Sequence, residues 1–141
     1  MILRCNYEEV EALKAGARAF LGTPGDVGQV AVLAPPESRA RVEALLPRLR
    51  GDLSLYTLED VRAVQVGVDA IVEHLREEME SALLATHPAD ESAVNAYFAY
   101  AHGLTVLNRV GEIGEEMVAI IELVTGDSPS AEAVRSFRFP D

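Results

Sequence analysis

From Val61 onward the apolar residues fall into two long runs that step by threes and fours. The first is Val61, Val64, Val68, Ile71, Leu75, Met79, Ala82 and Thr86; the second is Tyr100, Gly103, Leu107, Val110, Gly114, Met117, Ile121 and Val124. This spacing sets one seam of a helix against another helix. Thr57, with Asp60 three residues on, marks the start of the first helix, and Asp90 is a good N-cap for the second, which ends at Gly126-Asp127. The break between them, His87-Pro88-Ala89-Asp90, is short, so the two helices are expected as antiparallel neighbours over residues 58–125. In such a hairpin, residues whose numbers sum to about 177 lie level.

The first third reads differently. Ile2-Leu3-Arg4-Cys5 is a short strand pattern, and Asn6 with Glu9 forms a capping-box signature. The helix that follows puts Val10, Leu13, Ala17 and Phe20 on one face and stops at Gly22. Thr23-Pro24-Gly25-Asp26 is a turn. Gln29 to Ala34 is apolar, β-branched and bounded by prolines, the pattern of a buried strand. A helix is expected from about Glu37 to Leu46, ended by Pro47, and a third strand over Asp52 to Tyr56. A helical turn follows Ser128-Pro129, and Ser136 to Phe139 can add a fourth strand. The order predicts an α+β fold: a small mixed sheet of three to four short strands with the helical hairpin packed on it. At 141 residues the chain is read as a single domain, with a sheet portion at 1–57, the hairpin at 58–125 and a C-terminal turn and strand at 126–141.

Charge sharpens this division. Leu58 to Thr125 holds thirteen acids against three arginines, a net of −10 (3 − 13) in a chain of net −11. A pI of about 4.6 argues against nucleic acid and anionic membranes, both of which need a basic face. No apolar run reaches the roughly 18 residues of a membrane span, and the opening Met1-Ile2-Leu3-Arg4-Cys5-Asn6 does not read as a signal peptide. A lone Cys5, read as a small buried hydrophobe, agrees with a cytoplasmic protein. Eleven arginines against one lysine, Lys14, carry no functional reading by themselves.

Candidate chemistry lies on the hairpin. His74 and Glu78, spaced i, i+4, can share an ion, but a zinc site needs at least three protein ligands. His102 is level with His74 yet falls well away from the second helix's seam. Glu112, Glu115 and Glu116 with Glu78 are candidate Mg²⁺ or Mn²⁺ ligands, since clustered glutamates on facing helices can hold a metal that bridges phosphate oxygens. Glu112-Ile113-Gly114-Glu115 resembles half the pattern of the all-α nucleotide pyrophosphatases. The other half is missing, because Glu77-Glu78-Met79-Glu80 has the wrong spacing. Asn95, His102, Arg109 and Glu116 recur every seven residues as a polar stripe, with Arg109 placed to pair with Glu112. The loop Gly22 to Gly28 is not a phosphate loop: it follows a helix and lacks Gly-Lys-Ser/Thr. Tyr97, Phe98 and Tyr100 read as core and interface aromatics.

Gly103 and Gly114 fall on the second seam, as though kept for close backbone approach. The expectation is a non-enzymatic, homodimeric binding or assembly protein that pairs through helices 58–125, with no cofactor, nucleic acid or membrane partner. The rival is a small metal-dependent phosphohydrolase. Three or more carboxylates converging on one point would favour the rival.

Overall fold

A computed structural model describes residues 1–22, 36–85 and 90–141. Helix α1 (Tyr7–Leu21) begins where its signals lie: the Asn6 side chain accepts from the Glu9 backbone at 2.8 Å, and the Asn6 N–H donates to Glu9 Oε1 at 2.9 Å. Gly22 closes it with φ 78°, its N–H donating to the Arg18 carbonyl. Helix α2 (Pro36–Leu45) passes into a 3₁₀ turn at Leu46–Arg48, where Pro47 has no N–H to continue the α-helix.

The hairpin helices follow. Helix α3 (Leu58–Ala85) starts with the Thr57 hydroxyl accepting from the Asp60 N–H at 3.1 Å. Helix α4 (Glu91–Thr125) is capped by Asp90, which accepts from the Ala93 N–H at 3.0 Å, and ends at Gly126 in the left-handed region. A short helix α5 (Ala131–Ser136) is capped by Ser130.

The expected sheet is overturned. The described chain is 78% helical, and its one sheet has two strands, β1 (Ile2–Leu3) and β2 (Leu53–Ser54). They pair antiparallel, Ile2 opposite Ser54 and Leu3 opposite Leu53. The Leu55 N–H adds a bond to the Met1 carbonyl at 2.7 Å. Residues 136–139 form no fourth strand: α5 takes Ser136, and beyond it the Phe139 N–H reaches the Tyr56 carbonyl at 2.7 Å without a ladder. The strand expected at 29–34, the turn at 23–26, Thr86 and the break at 87–89 lie outside the described residues.

Helices therefore cover the hairpin where the sheet was expected to. Val61, Val64, Val68, Ile71 and Leu75 of α3 and Val106, Val110, Met117 and Ile121 of α4 are buried with Leu13, Ala17 and Phe20 of α1 and Val42 and Leu45 of α2. Gly16 shows how close α1 lies, since a Cβ there would stand 2.8 Å from Ile71 Cγ2. Gly67 does the same for α2, its Cβ position being 3.1 Å from the Arg41 carbonyl oxygen. The two-stranded sheet with the Phe139 segment closes the end of the core near Leu58.

Candidate functional site

The residues singled out for metal binding are spread along the hairpin. His74 Nε2 lies 2.9 Å from Glu78 Oε1, one helical turn on. The approach is poorly aligned, so neither ring nitrogen makes a well-formed hydrogen bond, although both are shut off from solvent. The ring instead meets Phe20 edge-on, with centroids 6.3 Å apart. Glu112 and Glu115 lie elsewhere, beside Asp69, Arg62 and Gln65 on the walls of an open groove between α3 and α4 of about 850 Å³. Glu116 is exposed on α4. Packing of Gly103 against Val72 and Leu75, and of Gly114 against Val61, confirms the register in which Glu78 is level with residue 99. Glu112 is then some thirteen residues further along α4, about 20 Å away. Among the described residues no three His, Cys, Asp or Glu side chains come together to hold a metal ion.

Arg109 corrects the polar-stripe reading. It does not pair with Glu112. Its NH1 donates to Glu9 Oε1 at 2.7 Å and to the Arg4 carbonyl at 2.8 Å, tying α4 to the start of α1. Glu9 is only 2% exposed, while the Arg109 side chain keeps 39% of its surface in water. Burial pushes the Glu9 carboxyl up, but hydrogen bonds from Arg109 and the Asn6 backbone, aided by the Arg109 charge, outweigh it and hold the group below its ordinary value. Glu9 was legible only as a capping residue. The signal for its second role is a carboxylate one turn into an otherwise apolar face.

Cys5 lies beside this pair. It is half-buried and just past β1, with its N–H donating to Asp52 Oδ1 at 2.8 Å. Burial first, then the Glu9 charge, pushes the thiol up to about 11, so it stays protonated at neutral pH and is not a thiolate nucleophile.

The two seam glycines separate in role. Gly103 is buried, and a Cβ there would stand 3.2 Å from both Leu75 Cδ1 and Val72 Cγ2, so the two helices pack closely at this point. Gly114 is half-buried, with only Val61 Cγ1 near, at an ordinary 3.5 Å. Gly111 is freer still, its one neighbour being Gln65 Nε2 at 3.8 Å. Both line the open side of the hairpin.

Exposed large apolar side chains gather at the end of the hairpin beyond Leu75, with a second pair, Leu123 and Val124, near the far end of α4. Val94, Tyr97 and Phe98 share one face of α4 at i, i+3 and i+4, and Tyr97 and Phe98 are 52% and 53% exposed. Their rings meet edge to face, with centroids 5.6 Å apart. Leu83 and Leu84 stand at the facing end of α3, Leu84 at 89% exposed. From Ser92 to Asn108 the chain has no Asp, Glu, Lys or Arg. Thus three of the block's exposed large apolar side chains, Val94, Tyr97 and Phe98, lie within its longest uncharged stretch. No helix among the described residues is long and apolar enough to cross a membrane.

Comparison with family models, with curated proteins and with solved structures gives no match.

Proposed function

We propose that the protein is a non-enzymatic assembly protein that pairs with a second copy through the outer end of its hairpin, and that it works in the cytoplasm. The observation that carries this reading is the exposed face Val94, Tyr97 and Phe98 on an uncharged stretch of α4, in a chain of net −11. Apolar surface gathered in one place is costly in water and is a usual mark of an interaction site. An isologous contact brings like surface to like surface. Here it sets the uncharged face of α4 against its like, with Glu77, Glu78 and Glu80 of α3 and Asp90 and Glu91 at the start of α4 flanking it at the same end of the hairpin.

The interface therefore differs from the seams expected at first, because α1 and α2 already cover those. About 15 Å of each helix extends past Leu75. Two such ends side by side make a short four-helix bundle, burying about 1,200–2,000 Å² if the contact is stable. Light scattering on the parent and on Phe98→Glu tests this. The parent should behave as two copies of 15.2 kDa, about 30 kDa, and the variant as one, with unchanged helicity. A variant that still dimerises places the contact elsewhere.

The phosphohydrolase alternative has no converging set of carboxylates among the described residues behind it. On the assembly reading, micromolar Mg²⁺, Mn²⁺ or Zn²⁺ leaves the melting temperature unchanged, and so does EDTA. A saturable rise of several degrees, abolished by Glu112→Gln or Glu78→Gln, would restore the enzyme.

A further inference from the structure

Five of the eleven arginines in this acidic chain have an ion-pair partner among the described residues. Arg4 pairs with Asp52, Arg39 with Glu43, Arg48 with Asp60, Arg76 with Glu73 and Glu80, and Arg109 with Glu9. The other six have no ion pair among the described residues, and three of these, Arg41, Arg62 and Arg135, lie together. Among the described residues, none of the three makes an ion pair or a hydrogen bond. Yet they come from α2, α3 and α5 to line one cavity of about 410 Å³. Its apolar wall is made by Ala63, Val66 and Val134. Gly67 contributes indirectly: lacking a Cβ, it lets the Arg41 backbone lie against α3, which brings Arg41 and Arg62 to the same opening.

Glu37 and Glu59 also line the cavity, but they have a separate explanation. Each sits in the first turn of its helix, where free backbone N–H groups favour negative charge, and neither is ion-paired with an arginine. Arg62 also borders the groove that holds Asp69, Glu112 and Glu115, without an ion pair to any of them, but Arg41 and Arg135 have no such local reason to lie here. Placing three unpaired cations around one concavity costs repulsion that an anion in the middle would turn into attraction.

We propose that this cavity binds a small molecule carrying a phosphate or carboxylate group on an apolar body. Guanidinium is the side chain best matched to either anion, because its planar fork donates two parallel hydrogen bonds. The apolar wall takes the body of the ligand, and the volume lies in the range of small-molecule sites. The proposal is independent of the dimer, since the cavity is built on α2, α3 and α5 and the exposed face is at the outer end of α4.

Titration calorimetry on the full chain tests it with three probes: phenyl phosphate, phenylacetate and inorganic phosphate. At least one organic probe should bind saturably with Kd below about 1 mM. Inorganic phosphate, which has no apolar body, should bind about tenfold or more weakly. Arg62→Gln and Arg135→Gln should each weaken the organic probe by about tenfold or more, since each removes a charge-assisted contact. Their melting temperatures should match the parent's, because neither side chain holds the fold together. Binding of phenyl phosphate alone identifies a phosphate ligand, and of phenylacetate alone a carboxylate. No saturable heat with either organic probe up to about 10 mM, or binding that survives both substitutions, would overturn the proposal.

Discussion

The five glycines in the described helices carry the same intrinsic cost, about 1 kcal/mol each against alanine, but only some have a reason to carry it. At Gly16 a methyl group would stand 2.8 Å from Ile71 Cγ2 and 3.0 Å from Leu75 Cγ, both atoms near the backbone of a buried helix. Gly16→Ala should therefore destabilise by about 1–2 kcal/mol, overpacking exceeding the helix-propensity gain. Gly103→Ala is intermediate: at 3.2 Å it meets Leu75 Cδ1, a side-chain end that can give, and Val72 Cγ2, which sits one bond from Cβ and gives less. Gly111→Ala meets nothing nearer than 3.8 Å and should stabilise by up to about 1 kcal/mol. Gly114→Ala should follow it, while a leucine there has an open groove to enter. Urea midpoints of the four alanine variants check the order. A gain at Gly16 or a loss at Gly111 would show that the packing between α1 and the hairpin is not as described.

The tie between helices α1 and α4 depends on one ion pair, and its strength depends on pH. The folded carboxyl of Glu9 titrates below its ordinary 4.5, so the pair's contribution is complete above that pH and is lost as pH falls through the folded value. Arg109→Ala should cost about 1–3 kcal/mol at pH 7. That is less than for a fully enclosed pair, because water can reach the half-exposed arginine side. The gap between parent and variant should narrow below pH 4.5, keeping only the loss of the bond to the Arg4 carbonyl. A gap independent of pH from 7 to 3 would mean that Glu9 is not ionised in the fold.

This contact also marks what a sequence can carry. Helix limits were legible because their signals are local: Asn6 with Glu9, Gly22, Thr57 with Asp60, Asp90 and Gly126 each act within a few residues of their own backbone. The seam of α3 was legible up to Leu75 for the same reason. Strand signals are weaker, because a strand needs a distant partner that no local pattern names. The alternation at Asp52–Tyr56 reflects two buried side chains, Leu53 and Leu55, but only β1 and the single bond from Phe139 meet it. Arg109 was read as part of a polar stripe placed to pair with Glu112, because nothing on α4 reveals that α1 crosses there. Nor could spacing bring together Arg41, Arg62 and Arg135, which lie on three separate elements.

At the scale of the molecule the charge pattern and the apolar pattern agree. The hairpin block carries −10, yet its acids avoid Ser92 to Asn108, and the exposed aromatics lie within that gap. Like charges elsewhere on the hairpin are screened beyond roughly 8 Å at 0.15 M salt, so they oppose pairing weakly so long as the contact itself is neutral. Raising salt should then tighten self-association slightly. Sedimentation equilibrium of the parent chain from about one to about a hundred micromolar, a range that spans ordinary dimer affinities, tests the central claim most directly. The account predicts a mass that approaches about 30 kDa with rising concentration, twice the 15.2 kDa of one copy. A single 15.2 kDa species across the whole range would contradict it and leave Val94, Tyr97 and Phe98 without a second copy to cover them.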